Sequence, residues 1–154
     1  MDSNIQAMSD HLGRYAKGFR PHSKTHKCPE IAKQQMAAGA VGICTAKVSE
    51  AAVMASVGID SILITSPIST RYKAQVVNAI ITEQLTLLLV VDSIEGLSAL
   101  QAEIDDDKRV GLLLDLDAST GRTGLRDNDL LLRLLDTMRN DARFYFAGVQ
   151  HYAG

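Results

Sequence analysis

A basic stretch near the start of the sequence combines an amine with two imidazoles. Residues 20–27 read RPHSKTHK, and if residues 19–24 form a strand, His22 and Lys24 lie two apart and share one face. A lysine at the end of a strand loses its proton readily when it is desolvated or close to other cations. An unprotonated amine is what imine chemistry with a carbonyl cofactor requires. The alternative is an exposed basic loop, because isolated charge clusters are usually solvated.

A metal site at His22 and His26 is disfavoured by the same stretch. The spacing of the two histidines suits one face of a helix, whereas this proline-containing segment is not expected to be helical. The neighbouring Arg20, Lys24 and Lys27 would also repel a cation. Lys27 falls in the loop that follows, where we expect it to be solvated.

A glycine-containing loop follows a later apolar strand. Arg122 lies between Gly121 and Gly124, where its guanidinium could donate hydrogen bonds to an anionic ligand oxygen. The alternative is a surface arginine paired with Asp115 or Asp117. The two aspartates lack the partners of a dinuclear or glycosidase site, and the sequence contains neither a Walker loop nor a Rossmann glycine fingerprint.

Polar and aromatic residues also follow the last apolar strand. Gln150, His151 and Tyr152 come directly after it. A tyrosine in this position could lie against a planar ring or hydrogen-bond to it, or it could be an ordinary loop residue.

The composition narrows the class of protein. Sixteen Lys and Arg against eighteen Asp and Glu give a net charge of -2, which argues against a nucleic-acid partner. The longest apolar run, residues 87–91, is too short to span a membrane, and no signal peptide is visible. The two cysteines, Cys28 and Cys44, suit a reducing compartment and are expected to be buried, inert thiols. We therefore expect a soluble, cytoplasmic protein.

Strands and helices alternate along the chain. The predicted strands are near-continuous apolar runs, at residues 19–24, 41–45, 61–65, 85–91, 110–116 and 144–149. The predicted helices follow capping residues or proline, at residues 4–17, from Pro29 to Gly39, from Ser49 to Gly58, after Thr70, after Ser93 and after Asp127 or Asn128. Strands of this kind are typical of a parallel sheet covered on both faces. The pattern predicts an α/β protein, either an open doubly wound sheet or an unfinished (β/α)8 barrel.

Three segments together resemble one enzyme family. They are the block that begins RPHSKTHKCPEIAKQQMAAG, the strand and turn LLLDLDASTGRTGL, and the segment GVQHYAG. In this order they are similar to the D-threonine aldolase and D-serine dehydratase branch of the alanine-racemase-like, fold-type III pyridoxal-phosphate enzymes. The resemblance runs from Met1 to Gly154. It implies a partial (β/α)8 TIM barrel of the alanine racemase N-terminal type and removes the doubly wound alternative.

The resemblance also implies roles for particular residues. Lys24 matches the lysine that forms the internal aldimine with pyridoxal 5'-phosphate, and Arg122 matches the arginine near the phenolic oxygen of the cofactor. Tyr152 falls where relatives place a His or Tyr beside the pyridine ring, and Gln150 is a weaker candidate there. Ser119 stands where relatives often have a glycine.

The implied activity is that of a lyase on small D-β-hydroxy-α-amino acids. An aldolase would cleave Cα–Cβ to give glycine and an aldehyde, and a dehydratase would remove the α-proton and then the β-hydroxyl, with Lys24 as the base. The family also implies a divalent metal, Mn or Zn, whose ligands are expected in a C-terminal domain and not in residues 1–154. A homodimer is possible for the full-length form. Two rivals stay open: an amino-acid racemase of the same fold and a non-catalytic pyridoxal-phosphate carrier.

The length bears on the domain organisation. A (β/α)8 barrel typically has about 250 residues, so residues 1–154 are expected to form an incomplete pyridoxal-phosphate-binding barrel without the C-terminal β-domain. We expect the isolated product to lack turnover and to carry an unpaired strand edge at residues 144–149, which favours aggregation.

Overall fold

The computed structural model describes residues 1–117 and 119–152, within which six α-helices and five β-strands are found. The helices are α1 Asp2–Arg14, α2 Pro29–Ala37, α3 Val48–Ser56, α4 Arg71–Ile80, α5 Ile94–Glu103 and α6 Asn128–Arg139. The strands are β1 Ile43–Thr45, β2 Ser61–Ile64, β3 Thr86–Val91, β4 Val110–Leu116 and β5 Phe144–His151. A 3₁₀ turn, Ser23–Thr25, precedes α2. Ala118, Ala153 and Gly154, which belong to the motifs quoted above, lie outside the described residues.

The five strands form one parallel sheet whose spatial order follows the chain, β1-β2-β3-β4-β5. A doubly wound sheet reverses its strand order in the middle, and this one does not. Parallel strands that follow one another in the sheet are almost always joined by right-handed crossovers, which put the connecting helices α3 to α6 on one face of the sheet, as in a (β/α)8 barrel. The fold is therefore α/β, a partial (β/α)8 barrel.

Capping side chains explain several of the helix starts. Thr70, Ser93 and Asp127 each accept hydrogen bonds from backbone N–H groups in the first turn of α4, α5 and α6. The prediction that Ser49 caps α3 was wrong, because Lys47 occupies the N-cap position. Helix α1 ends at Arg14 rather than near Gly18, since the chain turns into the left-handed region at Ala16 with φ 52°.

The prediction of a strand over residues 19–24 was also wrong. The segment makes a single parallel bridge, between His22 and Cys44, and then enters the 3₁₀ turn. Pro21 lacks the N–H that a strand would use, although its carbonyl accepts from Cys44 N at 2.8 Å.

Apolar side chains fill both faces of the sheet. The outer face packs against the helices in one large cluster that includes Ile62, Leu89 and Leu112. The inner face carries a smaller cluster around Cys44, Leu63 and Val90. Burial on both faces accounts for the unbroken apolar runs of the sequence.

The pairing of β4 with β5 is interrupted by a bulge. Leu112 pairs with Phe146 and Leu113 with Gly148, so Ala147 is an extra residue in β5. Gly148 adopts φ 133°, which favours glycine. Because of the extra residue, Gln150 lies opposite Asp115.

Candidate functional site

The four residues singled out from the sequence lie around one cavity at the carboxyl ends of the strands. Lys24, Arg122, Gln150 and Tyr152 all line this cavity, whose volume is about 290 Å³. Small-molecule sites commonly occupy about 300–1,000 Å³, and in parallel α/β folds they form at this end of the strands. Sequence positions more than a hundred residues apart thus meet at one place.

Lys24 reaches the cavity from the 3₁₀ turn and not from a strand. The turn begins at His22, whose Nδ1 accepts a hydrogen bond from Lys24 N at 3.2 Å. Ser23 is buried and donates to the carbonyl of Cys44 at 3.1 Å, which fixes the turn to β1. The expectation that His22 and Lys24 share a strand face was wrong, yet both line the cavity because the turn folds back over it.

The second lysine of the motif has a different environment. Lys27 lies 3.7 Å from Glu50, with a side chain that is 63% exposed. Its solvation agrees with the sequence-based expectation. Of the two lysines, only Lys24 lines the cavity within the described residues.

The loop after β4 presents Arg122 to the cavity. Asp117 Oδ1 accepts hydrogen bonds from Thr120 N at 2.9 Å and Gly121 N at 3.2 Å. Arg126 binds the other oxygen of Asp117, so this aspartate is not the partner of Arg122 that the alternative interpretation required. The Arg122 guanidinium lies 4.7 Å from the centre of the Tyr152 ring, a cation–π distance.

Gly124 lets this loop close tightly on the end of the strand. It has φ 104°, and a Cβ at this position would lie 2.6 Å from Asp117 N and 2.7 Å from Leu116 C. A side chain would therefore collide with backbone that cannot move aside. The close approach allows Leu125 to bridge to Leu116 and directs the preceding residues, Arg122 among them, back over the strand ends.

A layer of polar side chains lies beneath the cavity. Asp115 is only 2% exposed and accepts from Thr123 Oγ1 at 2.7 Å and from Gln150 Nε2 at 3.2 Å. Gln150 also donates to the carbonyl of Thr65 at 3.3 Å, which connects β5 to β2 across the sheet. This structural role of Asp115 was not predicted from the sequence. An aspartate inside the apolar run LLLDL was the signal that it is buried and hydrogen-bonded.

The electrostatic environment keeps His22 neutral. Burial lowers the pKa of the His22 imidazole, the nearby positive charge of Lys24 lowers it further, and Glu50 opposes both effects. At neutral pH the ring therefore carries no charge and can accept a hydrogen bond at one nitrogen and donate at the other.

The two thiols differ from each other. Cys44 is buried on the inner face, and this burial raises its pKa to about 11, so it is an inert thiol as expected. Cys28 is only partly buried, and its Sγ donates to Glu30 Oε2 at 3.1 Å. The expectation that both thiols are buried was wrong for Cys28, because it lies at the exposed start of α2.

The described ranges contain neither a cluster of metal ligands nor a helix that could span a membrane. Over residues 1–117 and 119–152, no three His, Cys, Asp or Glu side chains come close enough together to hold a metal ion. No helix in this part of the chain combines the length and the apolar character that crossing a membrane requires.

Comparison with known proteins extends these observations. The chain is 35% identical to a D-threonine aldolase of Arthrobacter sp. over 154 residues, which cover 99% of this chain and 40% of that protein. It is 29% identical to a D-threo-3-hydroxyaspartate dehydratase of Delftia sp. (strain HT23) and spans 41% of its length. The crystal structure of D-threonine aldolase from Filomicrobium marinum superposes with a TM-score of 0.90 at 33% identity, covering 99% of this chain and 42% of that one. The chain thus spans about 40% of the length of the curated relatives that it matches.

A family model places these likenesses in one group. The model described as alanine racemase, N-terminal domain, matches residues 1–154. The matched residues include all five strands of the sheet and every residue that lines the cavity. The chain therefore belongs to the alanine racemase N-terminal domain family.

Proposed function

We propose that this chain binds pyridoxal 5'-phosphate through Lys24 and forms the lysine-bearing part of a lyase that acts on D-β-hydroxy-α-amino acids. The observation that carries the proposal is the meeting of one amine, one guanidinium and one aromatic ring at a single cavity. These groups suit the cofactor chemically: an amine for its aldehyde, a cation for its phenolic oxygen and an aromatic side chain for its planar ring. The cofactor itself, when bound, supplies an electron sink for bonds broken at the substrate α-carbon.

Lys24 Nζ has two tasks in this proposal. It would hold the cofactor through the aldehyde carbon. Bound or free, the amine stays at the cavity because the 3₁₀ turn is fixed to β1. There it can accept the proton from the α-carbon or from the β-hydroxyl, which are the two positions that distinguish dehydration from aldol cleavage.

Arg122, Tyr152 and Gln150 orient rather than react. The Tyr152 ring supports the Arg122 guanidinium from one side, so the guanidinium can direct its N–H groups towards an anionic oxygen. Gln150 is held by Thr65 and Asp115 and forms part of the cavity wall. A guanidinium supported in this way can bind an anionic oxygen with little reorganisation.

The substrate class is proposed from the relatives. Curated relatives of this chain include aldolases and a dehydratase, named for D-threonine and D-3-hydroxyaspartate substrates. We therefore expect the intact protein to convert a D-β-hydroxy-α-amino acid either to glycine and an aldehyde or to ammonia and a keto acid. The described residues do not fit a divalent metal, since they bring no set of ligands together, and we derive no step through one.

The cofactor assignment is tested by chemical trapping. Incubation of the intact protein with pyridoxal 5'-phosphate, followed by borohydride reduction and peptide mapping, should place the label on Lys24. Lys24→Ala should lose the label and the absorbance of the bound cofactor. Lys27→Ala is the matched control, because it removes a neighbouring, solvated lysine of the same motif and should retain both.

The rival functions make different predictions in the same preparation. A label on Lys24 with release of glycine or ammonia from D-threonine or D-serine supports the lyase. Conversion of a D-amino acid to its L form would support the racemase instead, and a label without turnover of any substrate would support the carrier. A label on another lysine that survives Lys24→Ala would contradict the proposal.

A further inference from the structure

Two histidine side chains accept hydrogen bonds from the backbone of the segment that carries Lys24. His22 Nδ1 accepts a hydrogen bond from Lys24 N at 3.2 Å, and His26 Nδ1 accepts one from Cys28 N at 3.0 Å. In each case the imidazole binds the backbone N–H two residues further along the chain. A ring nitrogen accepts only when it carries no proton, so both bonds require neutral rings.

The second nitrogen of His22 is also bound. Nε2 lies 3.1 Å from Thr65 Oγ1, and Thr65 Oγ1 donates its hydrogen to the carbonyl of Thr45 at 3.1 Å. Because the threonine hydroxyl has only one hydrogen, it must accept from His22 Nε2. The hydrogen-bond network therefore assigns the Nε2–H tautomer and fixes the ring between the turn and the end of β2.

We propose that neutral His22 is a positioning residue that holds the backbone of Lys24 so that its amine is presented to the cavity. This inference rests on the proposed role of Lys24 as the cofactor-binding lysine. His22 acts through the turn and touches no reacting atom in the proposal. His26 fixes the following turn, which leads into α2, in the same way.

Protonation of His22 would break this arrangement. A hydrogen on Nδ1 would face the N–H of Lys24, so the bond would be lost and two donors would oppose each other. The charged and titratable groups around His22 are Lys24 on the same turn, Cys44 on β1, Glu50 on α3, and Arg122 and His151 across the cavity. Burial and then Lys24 lower the pKa of His22 below its ordinary 6.5, while Glu50 raises it. The competent form is therefore present at neutral pH and is lost as the pH falls through a value below 6.5.

Substitutions at position 22 separate positioning from the chemistry of the imidazole. His22→Asn keeps an acceptor, the Oδ1 atom, in the place of Nδ1 but does not titrate, whereas His22→Ala removes the acceptor. His11→Asn is the matched control, because His11 lies on α1 against Tyr15 and is not among the residues that line the cavity. The measured quantity is the rate at which pyridoxal 5'-phosphate is trapped on Lys24 by borohydride between about pH 5 and about pH 8.

The wild type should show an inflection below pH 6.5. His22→Asn should keep the neutral-pH rate and lose the inflection. His22→Ala should trap the cofactor about three- to tenfold more slowly at neutral pH, the effect expected from one lost hydrogen bond. His11→Asn should behave as the wild type.

A second measurement needs no cofactor. The amide hydrogen of Lys24 should exchange slowly in the wild type and in His22→Asn and faster in His22→Ala, and the ¹⁵N shifts of His22 should report the Nε2–H tautomer. If both variants label Lys24 as the wild type does, with the same inflection, the positioning role of His22 is overturned while the proposed function stands. If the wild-type label lies on another lysine, the proposed function fails, and the His22 inference fails with it.

Discussion

At the scale of the residue, the loop after β4 shows how backbone conformation constrains the site. Ser119 adopts φ 73°, the left-handed region in which glycine is unstrained and other residues are not. The resemblance noted in the sequence implies a glycine at this position in related enzymes. The loop therefore keeps a glycine-type backbone although the residue is serine, and the turn that presents Arg122 is retained.

Ser119→Gly should relieve this strain. Glycine adopts this conformation without the Cβ conflict, but it also raises the conformational entropy of the unfolded chain, which offsets part of the gain. We therefore expect the free energy of unfolding to rise by about 0.5–1 kcal/mol. Thermal melts followed by circular dichroism would measure the change. Ser69→Gly, at an exposed loop serine outside the left-handed region, should be neutral or destabilising. Equal stabilisation by both substitutions would show that strain at Ser119 is not the cause.

At the scale of the element, an ion pair joins the end of α5 to the start of β5. Arg143 donates to the carbonyls of Gln101 and Ile104 at 2.9 Å and binds Asp141 at 2.7 Å. The guanidinium thus satisfies carbonyls that the end of a helix leaves free. Its hydrogen bonds hold the pKa of Asp141 well below the usual range of a carboxyl group, although partial burial opposes the shift.

Asp141→Asn should therefore destabilise the fold in a pH-dependent way. Because the pKa of Asp141 is lower in the folded than in the unfolded protein, its contribution is complete above about pH 4 and declines as the pH falls below that. We expect a loss of about 1 kcal/mol at neutral pH, shrinking in acid, measured from urea unfolding midpoints. Asp106→Asn is the control: Asp106 also lies near Arg143, at 3.6 Å, but its side chain is 99% exposed and its loss should be silent.

The regular strands and helices could be predicted from the sequence, whereas the irregular segment at residues 19–24 could not. The bounds of the later strands and the starts of the later helices were predicted to within one or two residues, because apolar runs and the caps Thr70, Ser93 and Asp127 are local signals. The segment at residues 19–24 was mistaken for a strand, since its conformation depends on bonds to β1 and β2.

The sequence indicated which residues meet at the cavity, but not the hydrogen-bond partners of their side chains. The four candidate residues line one cavity, with Lys24 coming from the 3₁₀ turn and the other three from the carboxyl ends of β4 and β5. The partners of each side chain could not be foreseen. Asp117 binds Arg126 instead of Arg122, and Asp115 is occupied by Thr123 and Gln150, contacts that exist only once the loop has closed.

At the scale of the whole molecule, the described part of the sheet ends at β5. Among residues 1–117 and 119–152, β5 pairs only with β4, and Phe146 and Val149 are 50% and 56% exposed. An exposed strand with free backbone groups and apolar side chains can pair with another chain. The partial barrel therefore has one side on which self-association is expected.

Lysine on this strand should reduce that association. Val149→Lys introduces a charge that opposes strand pairing, so sedimentation and light scattering should show less concentration-dependent self-association than in the wild type. Tyr72→Lys is the control, because Tyr72 is 73% exposed on α4, away from the sheet edge. An equal effect of both substitutions would indicate a general effect of charge on solubility instead of pairing at β5.

At the Ala147 bulge, the alternation of β5 side chains between the two faces of the sheet shifts by one residue. Before it, Tyr145 lies beside Gly111 on the inner face, and after it Gln150 takes the inner position opposite Asp115. In an unbroken strand Val149 would pair with Asp115 and place an apolar side chain among the polar groups below the cavity. One inserted residue therefore lets the apolar packing before the bulge and the polar layer after it be set separately. Substitutions after the bulge can change the side chains below the cavity while the apolar contacts before it stay as they are.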